Sequence, residues 1–126
     1  MGMKKFTCTA AAALLVLVGS AGLARADATV VEGKVTLDVR GKGLVVKKAG
    51  GWIDGHPKGA KAKLYAVYMG SRTEVTNWKK AKREGSGMTK ISAVDWNLGN
   101  RKFTNGTWLC IQFNKGDDTP CAKIHR

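Results

Sequence analysis

Asp54 and His56, separated by a single glycine, are the two residues whose types and spacing come nearest to chemistry in this chain. A carboxylate beside an imidazole could form an acid–base pair or part of a metal site. The same Asp-Gly-His run is also ordinary turn chemistry, with a solvated histidine after an aspartate that bonds its own backbone, and a turn is the expectation here. His125, the second of two histidines, stands beside Arg126 in no motif that serves a nucleophile. The remaining acids are scattered, Asp117-Asp118 falls among turn residues, and no glycine-rich phosphate loop leads into a helix. Hydrolase and transferase readings therefore lack parts. The expectation is a non-enzyme with no catalytic residues, no metal and no cofactor.

The cysteines and the N-terminal stretch speak to compartment. Lys4 and Lys5 precede an apolar run of thirteen residues, 6–18, and Ala24-Arg25-Ala26 is the small-residue pattern that a signal peptidase cleaves. The run is too short for a spanning helix, which needs about 20 apolar residues. Residues 1–26 are expected to be a signal peptide, and 27–126 a single secreted domain without a transmembrane anchor. Cleavage removes Cys8 and leaves Cys110 and Cys121, an even count that argues for one disulfide in an exported protein. It would close a short loop and add about 2–3 kcal/mol to stability. Cleavage also removes Lys4, Lys5 and Arg25, leaving 19 basic against 9 acidic residues and a net charge of +10. Such a charge favours anionic partners such as wall polymers, acidic polysaccharides or lipid headgroups. Nucleic acid ranks lowest, because no recognised motif accompanies the charge.

The elements that must position these residues read as strands. Over 29–39, Val31, Val35, Leu37 and Val39 alternate with Glu32, Lys34, Thr36 and Asp38, the period of a half-buried strand. Residues 41–43 break the run and 44–48 resume it, as a hairpin or a bent continuation. Residues 49–59, with four glycines and a proline, read as a turn-rich loop. Strands are expected over 61–69, 73–78 and 88–98, with 78–87 a helical turn or a basic loop. The last hairpin is the best specified: Thr107, Leu109, Ile111 and Phe113 form an apolar face, and Asn114-Lys115-Gly116-Asp117 is turn chemistry. A two-residue loop at Lys115-Gly116 sets Cys110 opposite Cys121 and Ile111 opposite Pro120 in a non-hydrogen-bonded pair. The fold expected is all-β, a small antiparallel β-sandwich or barrel of about six to seven strands with one disulfide.

Surface features carry the remaining candidates. Trp78 followed by Lys79, Lys80, Lys82 and Arg83 could pair an aromatic ring with cations for an acidic sugar, a phosphate or nucleic acid, or could be a solvated basic loop. Trp96 shares a face with Val94 and Leu98 and reads as core, whereas Trp52, in the glycine-rich loop, is the best exposed aromatic. The segment 28–39, through Val31, Val35, Leu37 and Val39, could add as a strand to a partner's sheet, or could be the first strand of the domain's own.

The run Gly50-Gly51-Trp52-Ile53-Asp54-Gly55-His56 and the ending that spans 105–113 and 119–125 resemble small secreted proteins of streptomycetes and related actinobacteria. Within that group, the size, export signal and leading strand are similar to the adaptor subunits of antibacterial umbrella toxin particles. The resemblance implies a β-sandwich that links a lectin-like subunit to a large toxin-bearing subunit, with the segment matching 28–39 engaging a partner. It transfers no catalytic residues. The leading expectation is thus a secreted interaction module, an adaptor in an extracellular antibacterial assembly. The alternatives are a free-standing basic binder of anionic wall polymer or membrane, and a secreted hydrolase inhibitor that displays 51–59 as a rigid loop.

Overall fold

The computed structural model describes residues 27–126, so the signal-peptide expectation for 1–26 lies outside the described residues. Ten strands form two antiparallel five-stranded sheets packed as a sandwich. The first sheet runs β1 (Ala28–Glu32), β2 (Val35–Lys42), β3 (Val45–Asp54), β8 (Ile91–Lys102), β7 (Lys82–Glu84). The second runs β10 (Cys121–Ile124), β9 (Thr107–Phe113), β4 (Lys61–Tyr68), β5 (Ser71–Glu74), with β6 (Lys79–Lys80) also paired to β4. Among the described residues no helix is long and apolar enough to cross a membrane.

The all-β class and the disulfide are as expected, and of the two architectures expected the sandwich is the one found. Ten strands replace the six to seven expected, because the hairpin at Gly33 and the short strands β6 and β7 add to the count. Several elements differ in ways that move candidate residues. The alternating segment 28–39 is two strands, joined at Gly33, whose φ of 57° suits glycine. Glu32 stands opposite Val35, so the turn shifts the inward phase from even to odd positions. Val35, Leu37 and Val39 are 1%, 0% and 0% exposed, whereas Val31 points outward at 65%. Three of the four residues proposed to meet a partner are therefore core, and their burial against Leu64, Leu109 and Ile111 contributes about 1.5–3 kcal/mol each.

Residues 49–54 are no loop but the second half of β3, a central strand. The glycines there serve close approach. A Cβ on Gly50 would stand 2.6 Å from the Val94 carbonyl oxygen, and one on Gly51 would strike the Thr36 carbonyl and come within 2.9 Å of Ile111 Cδ1. A loop exists only at 55–60, so 51–54 cannot be displayed as an inhibitory loop. The basic stretch is neither a helical turn nor a loop: Ala81, with its N–H donated to the Ala60 carbonyl (2.9 Å), turns the chain from β6 in the second sheet to β7 in the first. A single turn of 3-10 helix follows at Gly87–Thr89.

Cys110 and Cys121 form the disulfide in the expected register. The pairing phase is the reverse of the one expected, since Ile111 donates its N–H to the Pro120 carbonyl (3.2 Å). Ile111 and Pro120 thus occupy a hydrogen-bonding position with the proline serving as acceptor only.

Candidate functional site

The outer face of the first sheet carries a groove of about 470 Å³. Strand alternation explains it. Ile53 and Gly51 face the core, so Trp52 and Gly50 face out. Gly50 lies between Asp38 of β2 and Asp95 of β8 in one cross-strand row; it is itself buried, with β8 crowding the place a side chain would take. Trp52 lies between Thr36 and Ala93 in the next row, so its ring has only short cross-strand neighbours. Among the described residues lysines stand over the rings of Trp78, Trp96 and Trp108, and no cation stands over that of Trp52.

The groove's polar groups are held in place. Asp38 accepts from Thr29 Oγ1 (2.8 Å) and from Arg40 Nε (3.1 Å), and Arg40 Nη2 lies 3.0 Å from its other oxygen. Lys79 Nζ donates to the Asp95 backbone carbonyl (2.6 Å), tying β6 of the second sheet to β8 of the first. Three acids (Asp38, Glu84, Asp95) and three bases (Arg40, Lys48, Lys82) line the groove. Their charges cancel, in a domain that otherwise carries a large positive excess.

The outer face of the second sheet is built differently. Lys63 Nζ lies 4.7 Å from the Trp78 ring centroid and 2.7 Å from Glu74 Oε1. Arg72 stacks 3.7 Å over Tyr65, donates to Glu74 Oε2 (2.7 Å) and reaches Gln112 Oε1 (2.9 Å). The hydrogen bond from Arg72, and then that from Lys63, draw the Glu74 carboxyl down to about 2. Trp78 and Trp108 remain 44% and 43% exposed at this face.

The sequence candidates thus disperse. Trp52 and Lys82 line the groove. Trp52, expected to be the best exposed aromatic, is half-buried because it sits in the central strand β3, and Trp78 and Trp108 are the more exposed. Lys79 and Lys80 lie at the edge of the other sheet and Trp78 belongs to the Lys63 cluster. Arg83 stands opposite Ser92 at the β7 edge. Trp96 packs half-buried against the core, as its alternation indicated. His56 is held by the Glu84 carbonyl through Nε2 (2.9 Å), and His125 Nδ1 lies 2.9 Å from the Arg126 backbone oxygen. Asp38, Arg40 and Asp95 carry no sequence motif; their one signal is that they occupy the polar phase of alternating strands. Comparison with protein-family models, with curated proteins and with solved structures returns no match.

Proposed function

We propose that the chain is an exported, non-catalytic interaction module that adds its edge strand β1 to the sheet of a protein partner, as an adaptor in an extracellular antibacterial assembly. The observation that carries the reading is the contrast among the sheet edges. Natural edges are blunted by shortness, charge or proline. β7 is three charged residues, β5 four residues bearing Arg72 and Glu74, and β10 four residues with Lys123 and the disulfide. β1 is five residues, Ala-Thr-Val-Val-Glu, with no lysine, arginine or proline and with Val31 exposed.

The edge is also held rigid at both ends. Glu32 accepts from the Thr119 N–H (2.7 Å) and Asp118 from the Lys34 N–H (3.2 Å), while Asp27 accepts from the Gly41 N–H (2.9 Å). A two-residue hairpin loop closes on a hydrogen-bonded pair. Glu32, Val30 and Ala28 therefore bond inward to β2, and the N–H and C=O of Thr29 and Val31 face outward, the pattern that strand addition needs. The disulfide fits an oxidising, extracellular setting, and the resemblance to secreted adaptor subunits points the same way, toward a lectin-like subunit and a large toxin-bearing subunit as partners. Affinity purification from the culture fluid of the producing organism tests this. Wild type recovers stoichiometric secreted proteins, and Val31→Pro, which removes an outward N–H without touching a bond to β2, loses them while staying folded. Equal recovery with Val31→Pro would overturn the reading.

A second reading, a binder of anionic wall polymer, has one specific observation in its favour. Lys61 and Lys80 stand directly opposite each other on β4 and β6, both exposed. Like charges so placed repel, and a bound polyanion would relieve them. Binding to wall polymer that added salt does not weaken would remove this reading.

A further inference from the structure

Independently of the β1 edge, we propose that the groove on the outer face of the first sheet binds a short stretch of neutral oligosaccharide. A sugar ring offers an apolar C–H face and a rim of hydroxyls that both donate and accept. The groove offers the complement of each. Trp52 is a half-buried amphipathic aromatic on the groove wall, with Thr36 and Ala93 across the strands, and the part of its ring that lines the groove is what a sugar face would stack on. Beside it the groove runs past Gly50, where no side chain stands, to the carboxylates of Asp38 and Asp95.

The carboxylates are the groups that a hydroxyl donor seeks. Asp38 is pre-aimed by Thr29 and Arg40, and a carboxylate has about four acceptor sites, so the three hydrogen-bonding contacts it makes leave room for a ligand. Arg40 and Lys82 supply donors to hydroxyl oxygens from the same groove. Charge decides the class of sugar. The groove pairs three acids with three bases, and an anionic ligand between Asp38 and Asp95 would meet two carboxylates. The excess positive charge that would draw a polyanion lies elsewhere, at Lys61, Lys80 and along the β6 edge. A peptide is the poorer fit, because one tryptophan flanked by glycine and alanine gives no succession of apolar pockets for its side chains.

The test titrates the chain 27–126 with soluble neutral oligosaccharides of glucose, mannose and N-acetylglucosamine, and with acidic polyuronate as the comparator, followed by calorimetry and tryptophan fluorescence. The expected result is that at least one neutral oligosaccharide binds with little response to added salt. Trp52→Ala should weaken that binding about tenfold or more, and Trp52→Phe should restore part of it. Asp95→Asn, a change at an exposed position, should weaken it as well and guards against a folding defect in the tryptophan variant. Trp108→Ala should leave it unchanged. The proposal is overturned if no neutral oligosaccharide binds, if polyuronate is the ligand taken up in the groove, or if folded Trp52→Ala and Asp95→Asn bind as wild type does. Since β1 is untouched, partner capture by Val31 survives or fails separately from this result.

Discussion

Lys80 and Lys82 are two positions apart in the chain and belong to different sheets, Lys80 opposite Lys61 at the edge of the second and Lys82 opposite Ala93 at the edge of the first. What reads as one basic run is therefore two environments joined at Ala81. Lys80→Glu should convert a repulsive cross-strand pair into an attractive one and raise stability by about 0.2–1 kcal/mol at low salt. Lys82→Glu has no lysine opposite it and should give no such gain. Urea denaturation at low and high salt checks both, and the Lys80→Glu gain should fade as salt is added.

The division of 28–39 into two strands makes a contrast between neighbouring apolar residues. Leu37→Ala removes a side chain at 0% exposure and should cost about 2–5 kcal/mol. Val31→Ala, at 65% exposure, should stay within about 0.5 kcal/mol. Equal costs for the two would contradict the hairpin.

Gly51 should be the least replaceable residue of β3. Gly51→Ala places a methyl group against the Thr36 carbonyl and 2.9 Å from Ile111 Cδ1, where the two sheets meet. Overpacking of this kind costs about 1–3 kcal/mol, which a shift in the urea midpoint at unchanged slope would report.

Those examples also mark how far the sequence carries. The Cys110–Cys121 register was legible because the two strands follow each other closely in the chain, although residues 114–120 form a longer connection in place of the expected two-residue loop at Lys115-Gly116. The sandwich class was legible from alternation and glycine-rich breaks. Residues 49–54 were not, since a glycine that makes room for a neighbouring strand looks the same as one that makes a turn; what separates them is the distant Thr36, Val94 and Ile111. The inward phase of 28–39 was hidden because Gly33 continues the alternation while reversing the chain. The groove was legible only at Trp52 and Lys82, because Asp38 and Asp95 come together through two separate strand pairings with β3.

Glu74 should report the order of the second sheet's outer face. Its carboxyl is lowered to about 2, first by Arg72 and then by Lys63. A lowered acid stabilises the fold above its unfolded range and loses that contribution as pH falls toward the folded value. The contribution should thus be present at neutral pH and disappear between about 4.5 and 2. An NMR titration of the side-chain carboxyl should show a midpoint near 2, moved upward by Arg72→Gln; an ordinary midpoint in the wild type would contradict the cluster.

The most direct test of the account is hydrogen exchange along β1 in the partner complex recovered from culture fluid. Strand addition predicts that the outward amides of Thr29 and Val31 exchange quickly in the free domain and slowly in the complex, while the inward amides of Val30 and Glu32 change little. Unchanged exchange at Thr29 and Val31 in a complex that stays intact would place the contact elsewhere and contradict the edge-strand reading.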